Sequence, residues 1–193
     1  WKTLNNGTTF EPVFDSYGAY SIGCVVMDPS NPNTVWIGTG ENNHQRALGY
    51  GNGVWKSEDY GKSWKCMGLK ESRQIGRIVV DPRCSDVVFV AAEGSVWGPG
   101  GERGLYKTTD GGKTWKKITK GLPEGVIGRI GLDRMVTKPD VMIATVEAEK
   151  ERGVYKSTDG GESWTFLNAL IPRPFYFSTP RIDPVDENRV YVP

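Results

Sequence analysis

The sequence predicts an all-β protein built from repeated four-stranded antiparallel units, and three observations predict it. One eight-residue pattern occurs as Ser57-Glu-Asp59-Tyr-Gly61-Lys-Ser63-Trp64, Thr108-Thr-Asp110-Gly-Gly112-Lys-Thr114-Trp115 and Ser157-Thr-Asp159-Gly-Gly161-Glu-Ser163-Trp164, with its aspartates 51 and 49 positions apart. A period in the range of about 20–50 residues is the mark of a solenoid, propeller or array. Each copy is entered from a strand-like run, Gly-Val-Trp-Lys, Gly-Leu-Tyr-Lys or Gly-Val-Tyr-Lys, and opens another. Finally, 25 glycines, 11% aromatic residues and frequent β-branched runs suit many short strands joined by tight turns.

The repeated octet has the chemistry of a hairpin turn. Glycine takes the positive φ that the turn requires. The aspartate accepts hydrogen bonds from backbone N–H groups just beyond it, and the hydroxyls do the same more weakly. The tryptophan then packs across the hairpin, leaving its indole N–H to find an acceptor. The octet resembles the Asp-box, or bacterial neuraminidase repeat, Ser/Thr-x-Asp-x-Gly-x-Thr/Ser-Trp. That resemblance implies a β-propeller in which each box joins the two outer strands of a four-stranded blade. It also implies a structural role for Asp59, Gly61, Trp64, Asp110, Gly112, Trp115, Asp159, Gly161 and Trp164, on the face away from the usual ligand site.

The chain can be taken blade by blade. Trp1-Lys-Thr-Leu-Asn-Asn-Gly aligns with the stretches that begin at Trp64, Trp115 and Trp164, so residues 1–5 are expected to end a blade, and 5–19 to connect. A blade is expected over 20–67, with inner strands Ser21–Asp28 and Val35–Glu41, a long loop 42–52, and outer strands 53–58 and 62–67. The second, over 75–118, pairs Ile75–Asp81 with Val87–Glu93. The third, over 127–167, pairs Ile127–Asp133 with Val141–Glu147. Residues 176–193 supply two strands of a fourth. Closed propellers need about four to eight blades, and open edges need cover. The expectation is therefore about half of a ring of seven or so blades, completed by the rest of a longer chain or by other subunits.

Composition narrows the function. The 193 residues carry 24 basic and 23 acidic side chains, for a net charge of +1, so no nucleic-acid footprint or polybasic membrane patch is indicated. No apolar run approaches the roughly 18 residues of a membrane span. Cys24, Cys66 and Cys84 have neither a disulfide framework nor zinc-ligand spacing. They read as buried thiols, with one bridge, Cys66 to Cys84, left open. No metal or cofactor motif is present, and no Ser-His-Asp order or phosphate-binding glycine loop.

A second register runs through the inner strands. Arg77, Arg129 and Arg181 recur at the same place, where the first blade has Cys24, and Glu41, Glu93 and Glu147 end the second strands. Antiparallel pairing brings each glutamate near the level of its blade's arginine. One reading is bonding of arginine to carboxylates and carbonyls between adjacent blades, which suits the planar guanidinium. The other is an arginine cluster at the channel mouth that binds an anion, as the resemblance to sialidases suggests. Sialidases, however, carry an Arg-Ile-Pro motif and a Tyr/Glu nucleophile pair. Pro180-Arg181-Ile182-Asp183 scrambles the first, and no residues here match the second. His44, Tyr50 and Trp97 in the long loops, with Phe175-Tyr176-Phe177, are the other candidate ligand contacts.

Stretches such as Trp36-Ile-Gly-Thr-Gly-Glu-Asn-Asn and Arg173-Pro-Phe-Tyr-Phe-Ser resemble sortilin-like Asp-box propellers of large secreted bacterial proteins, often called glycosyl hydrolases on the strength of the box alone. The resemblance implies a secreted or cell-envelope protein. Sortilin binds peptide segments in its propeller tunnel, which favours a non-catalytic binding or assembly module. Its partner would be a protein, peptide or glycan, held through loops 42–52, 94–103, 119–126 and 168–176. The alternative is a sialidase-like or other glycoside hydrolase, with Arg77, Arg129 and Arg181 clamping an anionic sugar.

Overall fold

Alternating β-branched and small residues, punctuated by glycine turns, fold into sequential antiparallel meanders. A computed structural model describes residues 1–43, 48–174 and 176–193; His44 and Phe175, named above, lie outside them. The first sheet holds β1 (Ile22–Met27), β2 (Val35–Thr39), β3 (Val54–Ser57) and β4 (Lys65–Gly68) in chain order. The second holds β5 (Ile75–Asp81), β6 (Cys84–Ala92), β7 (Gly104–Thr108) and β8 (Lys116–Ile118). The third holds β9 (Ile127–Arg134), β10 (Met142–Ala148), β11 (Gly153–Ser157) and β12 (Thr165–Asn168). A two-stranded hairpin, β13 (Arg181–Ile182) and β14 (Val190–Tyr191), follows.

The sheets stack face to face, and the two-residue period of each strand sends side chains alternately into the joints on either side. Val88, Val90 and Ala92 of β6 join Trp36 and Ile78 in the core between the first and second sheets. The intervening Phe89 and Ala91 join Leu132, Met142 and Tyr155 in the core between the second and third. Met135, Ile143 and Ile182 close the third sheet against the last hairpin. The outer side of the first sheet is covered by the N-terminal segment, where Phe14 packs with Ile37 and Trp64. Residues 1–5 form no strand of a sheet; they contribute the single bridge Lys2–Glu11, and Trp1 is exposed.

The three boxes are built alike. In the second, Thr108 Oγ1 donates to Asp110 Oδ1 at 2.7 Å and accepts from Gly112 N at 3.0 Å. Asp110 also accepts from the Thr114 backbone at 2.9 Å and its hydroxyl at 2.6 Å. Ser57/Asp59/Ser63 and Ser157/Asp159/Ser163 repeat the same bonds. These bonds hold all three carboxyls below the usual carboxylate range; Asp159 lies at about 2, its burial opposed by the bonds from Ser163 and Ser157. Gly112 and Gly161 have φ of 91° and 82°, and a Cβ on either would strike Trp36 or Phe89 of the preceding sheet, at 2.9 and 2.5 Å. Backbone conformation and packing both demand glycine there. The indoles of Trp64 and Trp115 reach back to Val13 O and Met67 O, at 2.8 and 2.7 Å, so the first box is tied to the N-terminal segment and the second joins two blades.

All three cysteines are free, so no Cys66–Cys84 bridge forms. Cys84 is exposed rather than a buried thiol, because it opens β6 at the surface turn. Cys24 is partly buried against the core between the first and second sheets, and burial pushes its thiol up to about 12.

Candidate functional site

Successive antiparallel strands place the boxes and the first-to-second-strand turns at one end of every blade. Gly111 N donates to Asp86 O and Gly160 N to Asp140 O, both at 3.0 Å, which ties each box to its neighbouring turn. The remaining loops gather at the other end. There a cleft of about 460 Å³ opens between the second and third blades, lined by Glu93, Arg103, Arg129, Glu147, Glu149 and Arg152 among others.

Arg129 is the centre of this cleft and is only 7% exposed. Its Nε lies 3.8 Å from Glu93 Oε1, across the joint between blades. Its Nη1 donates to Asn42 O at 3.1 Å and Asn43 Oδ1 at 3.3 Å, drawing in the long loop of the first blade. Its backbone N–H donates to Glu147 Oε2 at 3.1 Å. The glutamates are seated by glycine. A Cβ on Gly76 would lie 2.4 Å from Glu93 Oε1, and one on Gly128 equally close to Glu147 Oε2, so the Gly-Arg pair in each inner strand makes room for a carboxylate. Arg103 completes the wall, donating through Nη1 to Ile127 O at 2.8 Å and through Nη2 to Gly98 O at 3.0 Å. Burial lowers the pKa of its guanidinium, against the opposing charges of Glu93 and Glu147.

The other residues singled out from sequence go elsewhere. Arg77 lines a separate cavity of about 400 Å³ on the inner-strand side, with its Nη2 3.7 Å from Asp133 Oδ1. Burial and the nearby charge of Arg181 lower its pKa. Arg181 itself is exposed and donates to Pro180 O at 2.8 Å. Arg77 and Arg129 therefore face different cavities and do not close on one anion. Glu41 accepts from Gly49 N at 3.2 Å, within its own loop. Tyr50 lies under the guanidinium of Arg73, 5.0 Å from the ring centroid. Trp97 stands at the loop surface, 64% exposed.

Arg103, Glu149 and Arg152 were not singled out from the sequence, yet a signal existed. Glu102-Arg103-Gly104 and Glu151-Arg152-Gly153 precede the third strand of successive blades, a repeat as regular as that of the inner-strand arginines. Among the described residues, no group of three or more His, Cys, Asp or Glu could hold a metal ion, and no helix is long and apolar enough to cross a membrane.

Sequence comparison decides the family. The model described as Sortilin-Vps10 (sortilin, neurotensin receptor 3) matches residues 52–192. The chain belongs to the Sortilin-Vps10 family. Among curated proteins it is similar to Xyloglucanase Xgh74A of Acetivibrio thermocellus, 27% identical over 112 residues that span 54% of this chain and 12% of that protein. It is also similar to a xyloglucanase of Hypocrea jecorina, 27% identical over 128 residues, 62% of this chain and 14% of the relative. The chain thus spans only a small part of the relatives it matches. Among solved structures, an ancestral GH74 enzyme aligns with a TM-score of 0.64 at 19% identity, over 89% of this chain and 21% of that one. The GH74 xyloglucanase from Xanthomonas campestris aligns with a TM-score of 0.56 at 21% identity, over 81% of this chain and 25% of that one. At this identity the likeness establishes the fold, a partial β-propeller of four-stranded blades.

Proposed function

We propose that this Sortilin-Vps10 chain is the binding portion of a larger extracytoplasmic propeller, and that its loop face takes an extended glycan without cleaving it. The observation that carries this reading is how the cleft carboxylates are used. Glu93 is braced by the Arg129 side chain across the joint between blades and Glu147 by the Arg129 backbone within the third blade, so both are held in structural contacts. The nearby Trp97 meanwhile offers an exposed indole, the side chain suited to stacking on a sugar ring. The xyloglucanases among its relatives favour a β-glucan as the glycan class. Calorimetric titration of the full-length protein with a xyloglucan oligosaccharide tests it. Trp97→Ala should weaken binding about tenfold, the 1.4 kcal/mol or so expected for an aromatic anchor. Unchanged affinity refutes the reading.

A second reading, glycoside hydrolysis, is favoured by the presence of Glu93 and Glu147 in one cleft. Hydrolysis needs one carboxyl as acid and another as base or nucleophile, about 5–10 Å apart. Release of reducing ends from xyloglucan, abolished by Glu147→Gln, would replace the binding reading with this one.

A further inference from the structure

The joints between blades are not equivalent. Trp64 and Trp115 each donate an indole N–H to a carbonyl on the preceding side, at 2.8 and 2.7 Å. Trp164 is 4% exposed, yet its Nε1 has no acceptor among the described residues, and its backbone N–H donates to Lys120 O at 3.0 Å. The strand it packs toward, β8, has three residues where β4 and β12 have four. Beside this joint lies a cleft of about 900 Å³ on the outer wall, formed by the loop after β8, by Lys150 and Glu151 just before β11, and by the outer strands of the third blade.

We propose that this outer cleft is a second saccharide site, which takes a neutral, hydroxyl-rich oligosaccharide. Its aromatic wall is preorganised. Tyr155 is 1% exposed and meets Phe166 edge to face, with centroids 5.4 Å apart, so a locked ring supports one that is 46% exposed. Around that ring stand Lys120, Glu124, Lys150 and Glu151. Some charges of this surface pair, as Lys56–Glu58 and Lys138–Glu187 do, at 2.8 and 3.1 Å. Among the described residues, none of the four heads around the cleft makes a hydrogen bond or ion pair. Two cations and two anions cancel, so the cleft does not select a charged ligand. It does present strong donors and acceptors around an apolar platform. A sugar ring matches this arrangement, with C–H bonds against the aromatic face and hydroxyls toward the charged rim.

Titration of the full-length protein with a xyloglucan oligosaccharide tests the site separately from the loop face. The wild type should bind at two sites, and Phe166→Ala should remove one of them or weaken it at least tenfold. Phe166→Trp should keep that site, which separates stacking from damage to the fold. Binding that Trp97→Ala abolishes and Phe166→Ala leaves unchanged overturns this proposal and spares the loop-face reading. Loss with Phe166→Ala alone keeps this site and overturns the other. A wild type that binds no oligosaccharide overturns both.

Discussion

Removing the carboxylate of Asp81 should be among the most damaging single changes available to this protein. Asp81 is held in the joint between the second and third blades, where its Oδ2 meets Arg134 Nη1 at 2.9 Å; the two side chains are 5% and 3% exposed. Arg83 bonds the same carboxylate at 2.8 Å and reaches Asp140 on the next blade at 2.8 Å. In Asp81→Ala, the Arg134 guanidinium keeps the Phe89 ring, 5.0 Å away, Met142 Sδ at 3.5 Å and the more distant charge of Asp140, but loses its direct carboxylate partner. A buried charge stranded this way costs about 3–5 kcal/mol. The exposed pair Lys138–Glu187 contributes at most about 1 kcal/mol, so Glu187→Ala is the control. Urea unfolding of the full-length variants measures both, and adding Arg134→Met to Asp81→Ala should recover much of the loss by removing the stranded charge. Acid supplies a second readout. Burial alone would raise the Asp81 carboxyl, but bonds from Arg83 and the charge of Arg134 outweigh it and hold it at about 2, below the ordinary 3.8. A folded value below the unfolded one means stability that is complete above about pH 4 and lost as pH falls toward 2, worth about 2 kcal/mol here. Asp81→Ala should flatten that part of the acid limb. A loss under about 1 kcal/mol, or no recovery in the double variant, would refute the reasoning.

Three further outcomes follow from the blade joints and the cysteines. Gly161→Ala forces a side chain into φ of 82° and against Phe89, and should cost more than the roughly 1 kcal/mol of an ordinary glycine replacement, read as a lowered urea midpoint. Trp115→Phe keeps an aromatic ring in the joint but loses the bond to Met67 O, and should cost about 1 kcal/mol in the same assay. With its thiol at about 12 and packed against the core, Cys24 should react with iodoacetamide at pH 8 more slowly than exposed Cys84, as mass spectrometry of the native protein will show; equal labelling would contradict the packing around β1.

The boxes were legible in the sequence because their chemistry is local: Asp110 finds its partners at Thr108 and Thr114, within a single turn. The inner-strand arginines were legible as a register but not in their partners. Arg129 turns back to Glu93 of the preceding blade, whereas Arg77 reaches forward to Asp133 of the following one. Equal positions in a repeat receive equal backbones, but each blade's neighbours differ, and a long charged side chain settles according to what those neighbours offer. The departures from the repeat were the better guide. Asp28-Pro29, Asp81-Pro82 and Asp183-Pro184 share a dipeptide that the third blade replaces with Asp133-Arg134, and that one exchange puts the guanidinium against Asp81. The same holds for Trp164, which alone of the three box tryptophans lacks a carbonyl for its indole among the described residues and sits beside the outer cleft. In this protein the recurring residues determine the blade, and the exceptions to them determine where its joints lock.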